Sequence, residues 1–392
     1  MRTRLAAAIS GLCLLIAPQA EARPAASPAP DAAAAAARCV RERARSSGFS
    51  GIVSIAQRGK PAALVALGRA AGPDSPAIAE RTRFNLASAS KMFTAVAVAQ
   101  LVDGGRVRLD DPIGRFVEGL TPEASAVTVR QLLTHSSGLG NFFAPQNLAA
   151  MIRARTASDL LPLLASEKPA FPPGSRVSYS NSGFALLGVL IERVSGQSYG
   201  DYLRSRLFAP AGMADTGLDP KPLATLAVGM TAARPGQGPR PGAVRTAEAV
   251  APDSAALHPA PGATQGFGSP AGGLFSTAAD MHGFLEALAA HRLASPAMTA
   301  AMTAPQVEVA PATADSPARR YGFGFGVGAF EGHRWFGHNG GNLGANVEVA
   351  AFPDDGWSIV VLSNRDPPAA TDLFRYARGL ITSPRPGDCR GA

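Results

Sequence analysis

The chain has 392 residues, 46% hydrophobic and 17% charged, enough to bury one large core or two modest ones and too apolar for disorder. Its formal net charge of +8 rests almost wholly on scattered arginines, with no basic run interleaved with aromatics, which argues against a nucleic-acid surface. The only lysines are Lys60, Lys91, Lys168 and Lys221.

Residues 1–22 read as an export signal, with Arg2 and Arg4 before the apolar run Leu5–Ala17 and a cleavage point at Ala20-Glu21-Ala22. The run is short for a bilayer span, no later segment reaches that length, and Cys13 lacks the preceding small residue of a lipid-attachment site. The expected product is exported, periplasmic or secreted, with no membrane span in the mature form. Residues 23–39 form an Ala/Pro-rich lead-in, expected to be flexible, to a single domain over 40–392.

Strand signals follow at about Gly51–Gln57 and Ala62–Leu67, and helical spacing runs from Ser88 to Val102 with Gly104-Gly105 as its stop. Further helices are expected at Thr128–Thr134, Ala157–Ser166, Ser182–Val194, Tyr199–Phe208, Thr277–Ala290, Ser295–Met302 and Ala370–Ile381. Residues 219–265 are rich in Pro, Gly and Ala with little periodicity, and read as a long surface loop or insertion. Strand patterns return at Tyr321–Gly328, His333–Phe336, Asn346–Phe352 and Trp357–Ser363. Strands at both ends and helices between them imply an α+β fold: an antiparallel sheet built from both chain ends, flanked by helices, with an inserted mainly helical subdomain. Convergent polar groups belong in the cleft between the two parts.

Removal of the export signal leaves Cys39 and Cys389, an even pair that in an oxidising compartment suggests a disulfide between the two chain ends; two free thiols are the alternative.

Three short motifs carry chemistry. In Ser88-Ala89-Ser90-Lys91, positions i and i+3 share a helix face, so the Ser88 hydroxyl and Lys91 amine can meet. A partly dry amine can take the hydroxyl proton and make the oxygen a nucleophile; a helix-capping serine before a solvated lysine is the plainer account. In Tyr179-Ser180-Asn181, a phenol near a cation can carry a proton, and the Asn181 amide can both donate and accept. A loop tyrosine before a capping residue is the alternative there. The run His338-Asn339-Gly340-Gly341 lets a substrate lie close to a strand edge, with His338 as a donor or positive charge and the Gly341 N–H joining that of Ser88 around an oxyanion.

Together, in this order, the motifs resemble the serine β-lactamase and penicillin-binding family, in its branch of class C enzymes, D-stereospecific peptidases and esterases. The phrases Phe84–Lys91, Leu132–Leu139, Tyr179–Gly183 and Gly272–Asp280 look like that branch, and the resemblance spans roughly residues 40–385. It implies a β-lactamase/transpeptidase-like fold. It also implies that Ser88 is the acylated nucleophile, Lys91 its proton acceptor or electrostatic partner, and Tyr179 the shared acid/base. Asn181 would orient Lys91 and substrate, and His338 would take the place of the third motif's cation. The N–H groups of Ser88 and Gly341 would form the oxyanion hole, with Asn339, Gly340 and Phe142 beside the substrate. Whether Lys91 or Tyr179 is the base stays open.

The third motif departs from the pattern of penicillin-degrading enzymes, which have lysine and threonine where this chain has His338 and Asn339. A histidine is only partly charged near neutral pH and holds a carboxylate less firmly. His135 is expected to serve structure. His258, His282 and His291 show no metal-ligand spacing, and no Gly-x-Ser-x-Gly elbow is present. The expected function is an exported, cofactor-free and metal-free serine hydrolase for small molecules or peptides with an ester, amide or lactam carbonyl. Carboxylic esters and D-amino-acid amides or peptides come first, with weak β-lactamase activity last. An acylating penicillin-binding or sensor protein without efficient turnover is the alternative.

Overall fold

In the computed structural model of the protein, the described residues are 30–233, 257–261, 263–264, 268–313, 318–383 and 389. The export signal and residues 234–256 of the expected long loop lie outside them. Gly51–Gln57 (β1) and Lys60–Leu67 (β2) make the first hairpin, turned at Arg58 and Gly59 with both φ angles positive, the geometry that matches strand twist. The next three strands are Phe84–Asn85 (β3), Met230–Thr231 (β4) and His258–Pro259 (β5). They are followed by Phe275–Ser276 (β6), Val307–Ala310 (β7), Arg319–Tyr321 (β8) and Gly326–Phe330 (β9). His333–Asn342 (β10), Ala345–Phe352 (β11) and Trp357–Ser363 (β12) complete the set.

Eight of these form one antiparallel sheet in the order β2-β1-β12-β11-β10-β9-β8-β7, so the two ends of the chain meet where β1 pairs with β12. Both sheet faces are covered, as the alternation along β1 shows. Ile52 joins the main core, whereas Val53 and Ile55 point into a second core. There they pack with Cys39, Val40, Leu373, Ala377 and Leu380 from the helices Pro30–Ser46 and Ala369–Thr382. Cys39 and Cys389 are joined as a disulfide, their Cα atoms 5.2 Å apart. The first helix begins inside the stretch expected to be a flexible lead-in; its run of alanines is the strongest helix-forming composition available.

On the inner face the main core is dominated by helices from the middle of the chain. The helix Lys91–Asp103 is apolar on every side and nearly all of it is buried, as befits a central helix. It packs against Asn181–Ser195, which opens on a Ser180 cap accepting from the Gly183 N–H and closes at left-handed Gly196.

Two strand expectations change. Tyr321–Gly328 is not one strand: it breaks at Gly322–Phe325, where the chain turns against the central helix. A Cβ on Gly322 would stand 2.0 Å from the Met302 carbonyl and one on Gly324 2.3 Å from Ala95, so only glycine fits while Phe323 and Phe325 enter the core. The strand begun at His333 continues through Asn342, placing His338–Gly341 within β10 and not after it. The segment Ala157–Ser166 divides into a 3₁₀ turn Ser158–Leu160 and a short helix Leu161–Leu164. Of the expected loop, residues 219–225 are held by Arg83, whose guanidinium donates to the carbonyls of Asp219, Pro220 and Pro222.

Candidate active site

Ser88 lies in a 3₁₀ turn, Ala87–Ser90, that leads directly into the central helix. In such a turn i and i+3 eclipse each other, which stacks the Ser88 and Lys91 side chains. Ala87 has φ 43°, left-handed for a residue with a Cβ, and the neighbouring chain holds it there: the Gly273 N–H donates to the Ala87 carbonyl at 3.1 Å. A Cβ on Gly340 would come 2.4 Å from the Leu86 carbonyl, so β10 can approach this turn only as glycine.

Lys91 is completely buried with no carboxylate among its hydrogen-bond partners. Its Nζ donates to Asn181 Oδ1 at 2.7 Å and to the Ala271 carbonyl at 2.5 Å, and stands 3.4 Å from Ser88 Oγ. Burial without a counter-charge drives its pKa well below the usual lysine value. Nζ also lies 4.7 Å from the centre of the Tyr179 ring. Tyr179 keeps 48% of its surface, and Ser88 is the polar neighbour that acts on its hydroxyl. Burial there pushes the phenol pKa up, so the group is neutral.

Asn181 does what the motif suggests for the lysine, and its Nδ2 donates to Asn141 Oδ1 at 2.9 Å. That Asn141 oxygen also accepts from the Phe143 N–H. The chain of contacts thus links Lys91 to the Phe142–Phe143 pair, whose rings stack 4.4 Å apart at the cleft wall. The cleft has a volume of about 840 Å³ and is lined by Ser88, Asn181 and Gly341 together with Phe142, Phe143 and Leu148.

His338 was expected to act as a donor or positive charge towards the substrate. It is buried; Nδ1 donates to the Asn339 carbonyl at 2.5 Å, and Nε2 accepts from the Tyr321 hydroxyl at 2.9 Å. Burial, reinforced by the Lys91 charge, pulls its pKa down to about 3. It is a neutral group with both nitrogens engaged, not a cation facing substrate. Asn339 and Gly340 do not line the cleft: successive side chains of β10 alternate faces, and Gly340 is spent on the close approach to Leu86 and Ala87. Asn342 and Leu343 line it instead.

Sequence reasoning missed Tyr321, which sat unremarked in a strand pattern, and Ala271, whose contribution is a carbonyl and leaves no side-chain trace. His135 was expected to be structural, and what it holds is Tyr179. Its carbonyl accepts from the Ser178 N–H at 2.8 Å, its Nδ1 accepts from the Ser180 N–H at 3.1 Å, and its ring lies 4.3 Å from that of Tyr179.

A cleft-lining serine beside a buried lysine, with a neutral phenol and a glycine-bearing strand edge, is the arrangement of a serine acyl-transfer site. Residues 36–382 match the family model Beta-lactamase, and the chain belongs to the Beta-lactamase family. Penicillin-binding protein 4* of Bacillus subtilis (strain 168) is 34% identical over 174 residues, covering 43% of this chain and 38% of that protein's own length. Among solved structures, a penicillin-binding protein from Bacillus halodurans is 26% identical with a TM-score of 0.73, covering 87% of this chain and 98% of that one. The D-amino acid amidase from Ochrobactrum anthropi SV3, complexed with D-phenylalanine, is 25% identical with a TM-score of 0.68, covering 86% and 92%. The fold is β-lactamase/transpeptidase-like. No helix among the described residues is long and apolar enough to cross a membrane.

Proposed function

We propose that the protein is an exported serine hydrolase that forms an acyl-enzyme on Ser88 and turns over carboxylic esters or amides of small amino-acid compounds. The observation that carries this is the bonding of Lys91. A neutral amine has two N–H donors and one lone pair. Asn181 Oδ1 and the Ala271 carbonyl accept the two donors, and Ser88 Oγ occupies the remaining direction at 3.4 Å. The lone pair therefore faces the serine proton, and the downward pKa shift keeps it available.

In this mechanism Lys91 takes the proton as Ser88 Oγ bonds to the substrate carbonyl carbon. The N–H groups of Ser88 and Gly341 receive the developing oxyanion. The bond to the leaving group then breaks, and the departing oxygen or nitrogen takes a proton from Tyr179, which burial keeps protonated. The Lys91 proton restores the phenol. Water attacks the ester in the second half by the same groups in reverse, releasing the acid and free Ser88.

Export accords with the Cys39–Cys389 bond, since such bonds persist in oxidising compartments. β-Lactam hydrolysis ranks below ester and amide hydrolysis because position 338 supplies no permanent cation for a carboxylate. A chromogenic ester assay tests turnover against one-time acylation. Many product molecules per protein are expected, and a single stoichiometric burst would instead make this an acylating sensor.

A further inference from the structure

Stabilisation of an oxyanion depends on where a peptide N–H points, and the Gly341 N–H belongs to the same planar unit as the Gly340 carbonyl. The Gly340–Gly341 bond is trans, so the two groups point in opposite directions and fixing one fixes the other. Strand β9 does not fix them, because it pairs with β10 only as far as Gly337. Beyond that point β10 meets the Ser88 turn, which Gly340 touches at Leu86 and Ala87.

Asn346 is the β11 partner of Gly341 and is only 3% exposed. Its Nδ2 donates to the Gly340 carbonyl at 3.2 Å. Its Oδ1 accepts from the N–H of Ala370 at 2.6 Å and that of Thr371 at 3.3 Å, both in the first turn of the helix Ala369–Thr382. Two N–H donors at one end of the amide identify its oxygen, so the other end is the donor. Pro367, just before that helix, closes on the same place: a Cβ on Gly341 would stand 3.0 Å from its Cγ.

We infer that Asn346 is a positioning residue for the oxyanion hole: anchored to the outer helix at one end and to the Gly340 carbonyl at the other, it sets the direction of the Gly341 N–H. This rests on the hydrolase reading above and adds to it a residue outside the three motifs. Gly341 lines the cleft and Asn346 does not, so Asn346 acts only through the peptide it holds. A carbonyl that accepts a hydrogen bond also leaves its peptide N–H a stronger donor.

The test follows single-turnover release of 4-nitrophenol from 4-nitrophenyl acetate with purified full-length protein in excess. It yields the acylation rate at saturation and, separately, the protein concentration that half-saturates it. Asn346→Asp keeps an oxygen for the two helix N–H groups, at a helix N-terminus that favours a carboxylate. It also sets a second oxygen against the Gly340 carbonyl with no proton between them. Asn346→Ala removes both contacts and adds no charge. The saturating rate should fall by about a hundredfold in Asn346→Asp and by at least about tenfold in Asn346→Ala. The half-saturating concentration should move by less than about threefold, since the oxyanion forms only after binding. An asparagine that merely caps the helix would leave Asn346→Asp as fast as the wild type. Circular dichroism checks folding, and Asn346→Ala decides alone if the carboxylate variant does not fold. A saturating rate within about threefold of wild type in a folded variant, or a loss carried only by the half-saturating concentration, overturns the assignment. Wild-type acylation that is abolished by Ser88→Ala but insensitive to Asn346 defeats this assignment alone; no Ser88-dependent acylation in the wild type defeats the hydrolase reading with it.

Discussion

His135 holds Tyr179 from both sides along the backbone and from above. The N–H groups of Ser178 and Ser180 donate to its carbonyl and its Nδ1, and the two rings lie 4.3 Å apart, tilted by 37°. His135 itself is held in a left-handed conformation, φ 57°, at the end of the helix Val129–Leu133. Since Nδ1 accepts, Nε2 carries the proton, and burial keeps the ring neutral.

Substitution His135→Ala should therefore lower kcat/KM by about 10²-fold through misplacement of the phenol. His135→Asn should recover part of the loss, because asparagine tolerates the left-handed region and its Oδ1 can accept from Ser180. Steady-state kinetics with a circular-dichroism check of folding decide this. Equal losses for Ala and Asn would mean that His135 only fills space.

Lys91→Arg should reduce acylation by at least about 10³-fold, because a guanidinium does not give up its proton. In the wild type the acylation rate should climb with pH as Lys91 deprotonates, with a midpoint well below 10.5. Pre-steady-state burst rates measured across pH show whether that limb exists; a limb at the ordinary lysine value would contradict a desolvated base.

Buried titrating groups give the stability a definite pH dependence. His338 and His282 have pKa values of about 3 and about 4, against 6.5 for the free side chain. Between those values and 6.5 the unfolded chain binds protons that the native protein refuses, so stability falls as pH drops through that window. Glu348 acts with the opposite sign. Burial raises its carboxyl to about 7 from 4.5, so the native protein keeps a proton the unfolded chain has released, and that stabilisation is lost as pH rises through 7. Its contact with the Thr371 hydroxyl is retained by an amide. Glu348→Gln should thus stabilise the protein more at pH 8 than at pH 5, by about 2–3 kcal/mol. Denaturant titrations at the two pH values provide the comparison, and equal gains would contradict the shift.

Reduction of the Cys39–Cys389 bond should cost about 2–4 kcal/mol by releasing a constraint across nearly the whole chain. It should leave the ester rate at room temperature little changed, since the bond fastens Cys39 of the first helix to Cys389, and neither cysteine lines the cleft. Thiol titration of denatured protein before and after reduction checks the bond itself; identical counts would refute it.

Much of this was legible in the sequence because the relevant signals are local. The i, i+3 spacing of Ser88 and Lys91 is read directly, although a 3₁₀ turn and not the α-helix brings them together, and the apolar run behind them forms the central helix. Antiparallel pairing of both chain ends followed from where the strand patterns fell. The surroundings of His338 could not be read locally, because burial and partners come from elsewhere: nothing near it in sequence announces the Tyr321 hydroxyl, 17 residues away, that engages its Nε2. Asn339 and Gly340 were read as substrate-binding from the glycine run; the strand runs through them, Asn339 is exposed, and Gly340 packs against Leu86 and Ala87. The alanine-rich lead-in hid a helix for a related reason, its stability coming from a sheet face that the local composition does not reveal.

The central claim is a covalent one, and mass spectrometry reaches it directly. Protein mixed briefly with a 4-nitrophenyl ester and quenched in acid should gain the mass of one acyl group, mapped by peptide fragmentation to Ser88, and the gain should vanish in Ser88→Ala along with turnover. An acyl group on any other residue, or full ester turnover in Ser88→Ala, would contradict it.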